Sequence, residues 1–256
     1  MGADIAELAE RLDEAARTAR ATPQISHTVD LTLAEAYAIQ AASIARRLAR
    51  GERRVGMKMG FTSRAKMLQM GLSDLIWGRL TDAMLAEDGG TIAFASYVHP
   101  RVEPEVAFLM RKRLEGRVTP LQALDAVEAV APALEVIDSR YEAFKFSLSD
   151  VVADNSSSSG FVVGAWRSAR TEIDNLGLVV AIDGRAQALG STSAILGHPL
   201  RSLVAAARLV AEGGEALEPG CIVLAGGATA ALALSPGQHI SLEMQSLGRV
   251  AFGVEA

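Results

Sequence analysis

The residues best suited to chemistry are three glutamates and a lysine in runs that should otherwise be apolar strands. Pro-Arg-Val-Glu-Pro-Glu-Val-Ala-Phe-Leu, residues 100–109, reads as a strand with Arg101, Glu103 and Glu105 on one face and Val102, Val106 and Phe108 on the other. Carboxylates at i and i+2 lie roughly 7 Å apart along a strand, near enough to repel in a low dielectric and well placed to share a cation. A third, Glu135, stands in Pro-Ala-Leu-Glu-Val-Ile-Asp, where a charge needs a partner. Oxygen-only ligation suits a hard divalent ion, Mg²⁺ or Mn²⁺, whereas zinc would be expected to recruit His or Cys. The alternative needs no ligand: Arg101 pairs with one glutamate and the other carboxylates are solvated.

Residues 54–61, Arg-Val-Gly-Met-Lys-Met-Gly-Phe, alternate in the same way. Lys58 shares its face with Gly56 and Gly60, which leaves space around its stem for a ligand or for close approach of another backbone. An edge-strand lysine pointing into water is the plainer reading. The hydroxyls and amides of residues 151–161, Ser157 among them, could hold an anion, or could form a flexible serine-rich loop. Gly226-Gly227 and Thr229 offer a backbone that a ligand could approach. His27, His99, His198 and His239 show no metal spacing and no triad context. The lone Cys221, in Cys-Ile-Val-Leu, reads as a small buried hydrophobe.

The elements that position these groups follow from periodicity. Ile5, Leu8, Leu12 and Ala15 form one helical stripe, and Tyr37, Ala41, Ile44 and Leu48 a second, introduced by a Thr32/Glu35 capping box and closed by Gly51. Beyond Gly51 short extended segments dominate. Two helices interrupt them: one from Thr119-Pro120 with Leu124, Val127 and Val130 on one face, the other after Pro199. Asp183-Gly184 marks a hairpin, and neither regular βαβ alternation nor a Gly-x-Gly-x-x-Gly signature is present, which argues against a dinucleotide fold. The expected class is α+β, with an N-terminal helical arm over residues 1–52 and a β-rich domain over 53–256.

Of 256 residues, 50% are hydrophobic and 21% charged, the reverse of a disordered composition. A net charge of −5 argues against nucleic acid as a partner. Mean hydropathy is +0.22, yet the best candidate span, Pro219 to Leu242, is broken by Pro-Gly and Gly-Gly pairs. No export signal is evident, so a cytoplasmic protein without a membrane segment is expected. Aromatic residues are 5% of the chain, which singles out Trp77, Tyr141, Phe144 and Phe146 as residues that could shape a pocket.

In order along the chain, Gly-Met-Lys-Met-Gly-Phe-Thr-Ser-Arg-Ala-Lys-Met-Leu-Gln-Met-Gly, His-Pro-Arg-Val-Glu-Pro-Glu-Val-Ala-Phe, Pro-Ala-Leu-Glu-Val-Ile-Asp-Ser-Arg-Tyr, Val-Ala-Asp-Asn-Ser-Ser, Leu-Gly-His-Pro and the closing Gly-Arg-Val resemble the 4-oxalocrotonate decarboxylase and 2-oxopent-4-enoate hydratase family of the fumarylacetoacetase-like superfamily. The resemblance runs from about Leu31 to the C-terminus. It implies a fumarylacetoacetase C-terminal-like mixed β-sheet roll, a divalent metal on Glu103, Glu105 and Glu135, and Lys58 in the active site. Residues 138–146, Asp-Ser-Arg-Tyr-Glu-Ala-Phe-Lys-Phe, look like the decarboxylases, while Trp77, Pro104 and Ser158-Ser159 depart from the pattern.

The implied reaction is metal-dependent decarboxylation of 2-oxohex-3-enedioate, a 2-oxo dicarboxylic acid. Lys58, its pKa lowered if desolvated beside the cation, would stabilise the enolate or move a proton. Arg140 or Lys145 would orient the distal carboxylate. Hydration of 2-hydroxypenta-2,4-dienoate, with Lys58 or Asp82 delivering protons and water, is the alternative. A weakly active scaffold for a partner hydratase is the non-enzyme alternative, and retention of Lys58 and the three glutamates argues against it. The resemblance further implies a complex with such a hydratase, and a homo-oligomer is expected.

Overall fold

A computed structural model describes residues 3–63 and 74–256. Arg64 to Gly71 of the first quoted segment lie outside the described residues. Helix α1 (Ile5–Thr18) begins at Asp4, whose carboxylate accepts from the Ala6 and Glu7 amides at 3.1 Å. Helix α2 (Leu33–Ala49) begins in the expected capping box. Its inward face is Ala36, Ile39, Gln40 and Ile44, whereas Leu48 is 37% exposed. The expected stripe is therefore offset, because α2 is wedged between α1 and a later short helix, α4 (Leu148–Ala153), and not laid on one flat surface.

Helix α3 (Pro120–Asp125) is shorter than its periodicity suggested. From Val127 the chain is strand β6 (Val127–Ile137), so Val127 and Val130 are strand residues. The run is rich in β-branched residues and pairs with β5 (Arg101–Met110) along its whole length, and that tertiary pairing overrides a helical period of three apolar positions. Strand β1 (Arg54–Gly60) pairs antiparallel with β2 (Ile76–Thr81) and parallel with β11 (Ile222–Leu224), which pairs antiparallel with β5. The β5–β6 pair then continues through β7 (Ser158–Val163) to β3 (Leu85–Ala86).

A second sheet has the order β10 (Arg185–Ser191), β9 (Gly177–Ile182), β13 (His239–Met244), β14 (Gly248–Val254), β4 (Thr91–Ile92). The expected Asp183-Gly184 turn joins β9 to β10, both residues at positive φ, 51° and 74°. Side chains of Met57, Met59, Val102, Val106, Phe108, Leu134 and Val136 face this second sheet and helix α5 (Pro199–Glu212) in the main core. The intervening residues Lys58, Glu103, Glu105 and Glu135 face the other way. By length and composition Thr192–Glu212 could cross a bilayer. Here it is a 3-10 turn followed by α5, whose Leu203, Ala206, Ala207 and Val210 are buried in that core.

The N-terminal helices build a second core with Ile76, Tyr141 and Val151–Ala153. Buried Gln40 ties them in: its amide donates to the carbonyls of Trp77 (3.1 Å) and Val152 (2.7 Å), and its oxygen accepts from Arg79 (2.6 Å).

Candidate active site: a carboxylate cluster beside a buried lysine

Pairing between β5 and β6 sets Glu103 directly opposite Glu135. Glu105 follows on the same face of β5, and one oxygen from each of the three carboxylates lies within 4.8 Å of the others. Glu105 and Glu135 are fully buried and Glu103 is half-buried. Beyond β11 the chain stays beside β5, with the Ala225 amide on the Val106 carbonyl (3.0 Å) and the Ala228 amide on Pro104 (2.8 Å). The strand side supplies one residue fewer between those bonds, so Gly226-Gly227 forms a bulge. Its Gly226 amide donates to one oxygen of Glu105 at 2.6 Å, and a Cβ at Gly227 would come within 2.9 Å of the Glu103 carboxyl carbon.

Lys58 reaches the cluster from β1, with Nζ 3.0 Å from Oε2 of Glu135, while Ser158 Oγ donates to Oε1 of the same carboxylate at 2.9 Å. Gly56 makes room for the β11 backbone at the Ile222 carbonyl, and Gly60 for the Ile76 side chain. Of the two, only Gly60 also borders open space. Burial pushes the Lys58 ammonium towards neutrality, but Glu135, Glu105 and Glu103 outweigh it and hold its pKa above the usual lysine value. Glu105 is driven well above the usual carboxylate range by burial and by Glu135 and Glu103, against the pull of Lys58. Its Oε1 is buried without a hydrogen-bond partner among the described residues. A buried, unpartnered carboxylate oxygen facing two further carboxylates is the donor set of a hard cation and a costly arrangement without one. The residues present therefore fit the divalent ion expected.

Lys58 and Glu103 open into a cavity of about 340 Å³. Thr62, Ser63, Ser156 and Ser157 add hydroxyl-bearing residues to its wall, and Ile76, Ile137, Phe144, Phe146 and Val151 an apolar side. Ser157 thus stands where a ligand could reach it. The serine run is not a flexible loop, since Asn155, Ser156 and Ser157 are buried and hold consecutive left-handed backbones (φ 51°, 51° and 61°). That costly conformation is clamped on β2: Asn155 exchanges side-chain hydrogen bonds with the Arg79 backbone (2.7 and 2.9 Å), and Ser156 Oγ donates to the Trp77 carbonyl (2.8 Å). Gly78 is the residue that allows the turn so close, at the Asn155 carbonyl.

Three expected positions lie elsewhere. Asp82 follows the far end of β2, where Arg54 pairs with Thr81, whereas Gly60 and Ile76 mark the cavity end. Asp82 accepts from the Arg53 amide (2.9 Å) and guanidinium (3.0 Å), and closes a turn there. Arg140 is buried against Asp154 through its backbone amide (2.9 Å) and guanidinium, with a further bond to Ser159 Oγ, and it does not line the cavity. Lys145 is exposed, between Phe144 and Phe146, which turn inward. Trp77 and Tyr141 are likewise core residues: Trp77 stacks on Tyr37 at 5.4 Å, and the Tyr141 hydroxyl donates to the Asp150 carbonyl at 3.1 Å. The expectation missed Thr62 and Ser63 as wall residues, and also Arg101, which borders the cavity with its guanidinium 4.0 Å from the Phe144 ring centroid. The strand alternation that grouped Arg101 with Glu103 was the available signal.

Residues 54–255 match the fumarylacetoacetate (FAA) hydrolase C-terminal family. The chain is 62% identical to a 4-oxalocrotonate decarboxylase of a Pseudomonas species over 97% of each chain, and 32% identical to a 2-hydroxyhexa-2,4-dienoate hydratase of Comamonas testosteroni over 93% of each. It superposes with a TM-score of 0.95 on a 4-oxalocrotonate decarboxylase from Pseudomonas putida G7 complexed with magnesium and adipate, at 37% identity, covering 98% of this chain and 97% of that one. The chain therefore belongs to the fumarylacetoacetate hydrolase C-terminal family, within its group of 4-oxalocrotonate decarboxylases and dienoate hydratases.

Proposed function

We propose that this chain catalyses the metal-dependent decarboxylation of 4-oxalocrotonate (2-oxohex-3-enedioate) to 2-hydroxypenta-2,4-dienoate and CO₂. The observation that carries the reading is the convergence of Glu103, Glu105 and Glu135 within 4.8 Å around an unpartnered buried oxygen, beside Lys58. Greater similarity to a decarboxylase (62%) than to a hydratase (32%) supports this chemistry over hydration. The three glutamates would hold Mg²⁺ or Mn²⁺, which when bound supplies Lewis-acid polarisation of the 2-oxo group.

The chain's own residues account for the rest. Hydroxyls of Thr62, Ser63 and Ser157 donate to the carboxylate next to the 2-oxo group, so the substrate enters in one orientation. The bond between C5 and the distal carboxylate breaks, CO₂ leaves, and the electron pair moves through the conjugated chain to the 2-oxo oxygen. Lys58, 3.0 Å from Glu135, lies where it can neutralise that charge and pass on a proton. Phe144, Phe146, Ile76 and Val151 keep water from the conjugated chain. The dienol product is reactive, which favours direct transfer from a homo-oligomeric enzyme to an associated dienoate hydratase in the cytoplasm.

The test incubates purified protein and Mg²⁺ with 4-oxalocrotonate and, separately, with 2-hydroxypenta-2,4-dienoate, following CO₂ release and ultraviolet absorbance. CO₂ release from the first is expected. Loss of dienoate absorbance in the second without CO₂ release from the first would overturn decarboxylation in favour of hydration.

A further inference from the structure

We infer that Arg101 is the residue that reads the second carboxylate of the substrate, with Phe144 as the shelf that holds its guanidinium in place. The inference rests on the functional reading above and replaces Arg140 and Lys145 in that role. Among the described residues, Lys58 and Arg101 are the two cations that border the cavity, and Lys58 is engaged with Glu135. The Arg101 side chain has no hydrogen-bonding or carboxylate partner among the described residues. Its contact is the face of the Phe144 ring, at 4.0 Å. A half-buried guanidinium with no carboxylate partner among the described residues suits an anion.

Its position matches the ligand. Arg101 lies two residues before Glu103 on the same face of β5, roughly 7 Å along the strand from the carboxylate cluster. A six-carbon 2-oxo diacid anchored by its 2-oxo acid end at the glutamates extends over a comparable length. The shelf is itself fixed at a cost. Ala143 and Phe144 both have left-handed backbones (φ 55° and 56°), and Phe144 packs on Phe146 at 5.6 Å and edge-on to His99 at 6.3 Å.

The leaving carboxylate gives up its charge as CO₂ forms, so the Arg101 contact is strongest in the bound substrate and fades towards the transition state. Its loss therefore weakens binding and raises KM, while kcat stays equal or rises. The experiment measures calorimetric binding of 2-oxoadipate and of 2-oxohexanoate to Mg²⁺-loaded protein, together with KM and kcat for 4-oxalocrotonate. Arg101→Met should weaken 2-oxoadipate about 10- to 100-fold, the effect of one charge-assisted pair, and 2-oxohexanoate less than about 2-fold. KM should rise in step with the first, with kcat equal or raised. Arg101→Lys should recover part of the loss and decides the matter if the methionine variant does not fold. Phe144→Leu, which keeps the apolar wall, should cost the diacid about 3- to 5-fold and the monoacid nothing. Equal losses for both acids, or a fall confined to kcat, would overturn the assignment. A wild-type protein that neither releases CO₂ nor prefers the diacid would instead sink the functional reading, whereas a wild-type preference that survives in both Arg101 variants sinks only this inference.

Discussion

Two groups of buried charges lie on the same side of the large sheet and are built on opposite rules. Around Arg140 every charge is answered: Asp154 accepts from its guanidinium and amide, and Ser159 takes a further donor. Around Lys58, among the described residues, Glu105 and Glu135 face one ammonium, and Glu105 keeps a buried oxygen with no hydrogen-bond partner. Buried charges that are fully paired hold elements in place. Those left with an excess of one sign describe what they are meant to bind.

The contrast can be broken or sharpened by substitution. Glu135→Gln should lower decarboxylation on the order of 10³-fold. It should also abolish the Mg²⁺-induced rise in thermal stability, which in the wild type reaches about 2.7 kcal/mol at one hundred times Kd. A variant that keeps the Mg²⁺ shift would show that the cluster is not the metal site. Arg140→Met should do the reverse, costing about 3 kcal/mol in chemical denaturation by stranding buried Asp154, while Mg²⁺ still raises the melting temperature. Lys58→Met should reduce kcat about 10²-fold with Mg²⁺ affinity retained, read from single-turnover rates and calorimetry.

The smallest effect concerns Asp13, which is 4% exposed and paired with Arg46 (3.1 Å) and Arg50 (2.6 Å). Burial acts to raise its pKa, but the two arginines prevail and hold it below the usual aspartate value. The unfolded chain therefore takes up this proton first. The stabilisation is complete above the unfolded-state pKa of about 3.9 and is lost as pH falls through the folded-state value. Asp13→Asn should cost about 1–2 kcal/mol at pH 7 and progressively less as pH falls below about 3.9, by urea titration followed by circular dichroism. A cost that does not shrink with falling pH would assign the effect to packing.

Much of this was legible because β-strand alternation is local. It placed Arg101, Glu103 and Glu105 on one face and put Lys58 opposite Met57 and Met59. Glu135 betrayed itself as a charge in an apolar run. What remained hidden depends on distant chain. Nothing local to Arg140 announces Asp154 as its partner, so a free arginine was expected where a locked one is found. Nothing local to Asp82 shows that β2 runs away from the cavity. The serine run looked mobile because the grip of Asn155 and Ser156 on β2 joins residues more than seventy apart in sequence. The helix expected through Val130 failed for a similar reason, its period being outvoted by pairing with β5.

The Gln40 bridge gives the first two helices a role unlike that of a cover. Through one amide they hold the carbonyl of Trp77, which also receives Ser156, and the carbonyl of Val152 at the foot of the turn that presents Ser157. Reach across the cavity is thus calibrated from outside the sheets. A shortened enzyme lacking residues 1–52 would keep the glutamates and lose the gauge that sets the hydroxyls opposite them. Directed evolution of substrate length in this fold should therefore find useful changes on α2, a helix whose residues do not line the cavity.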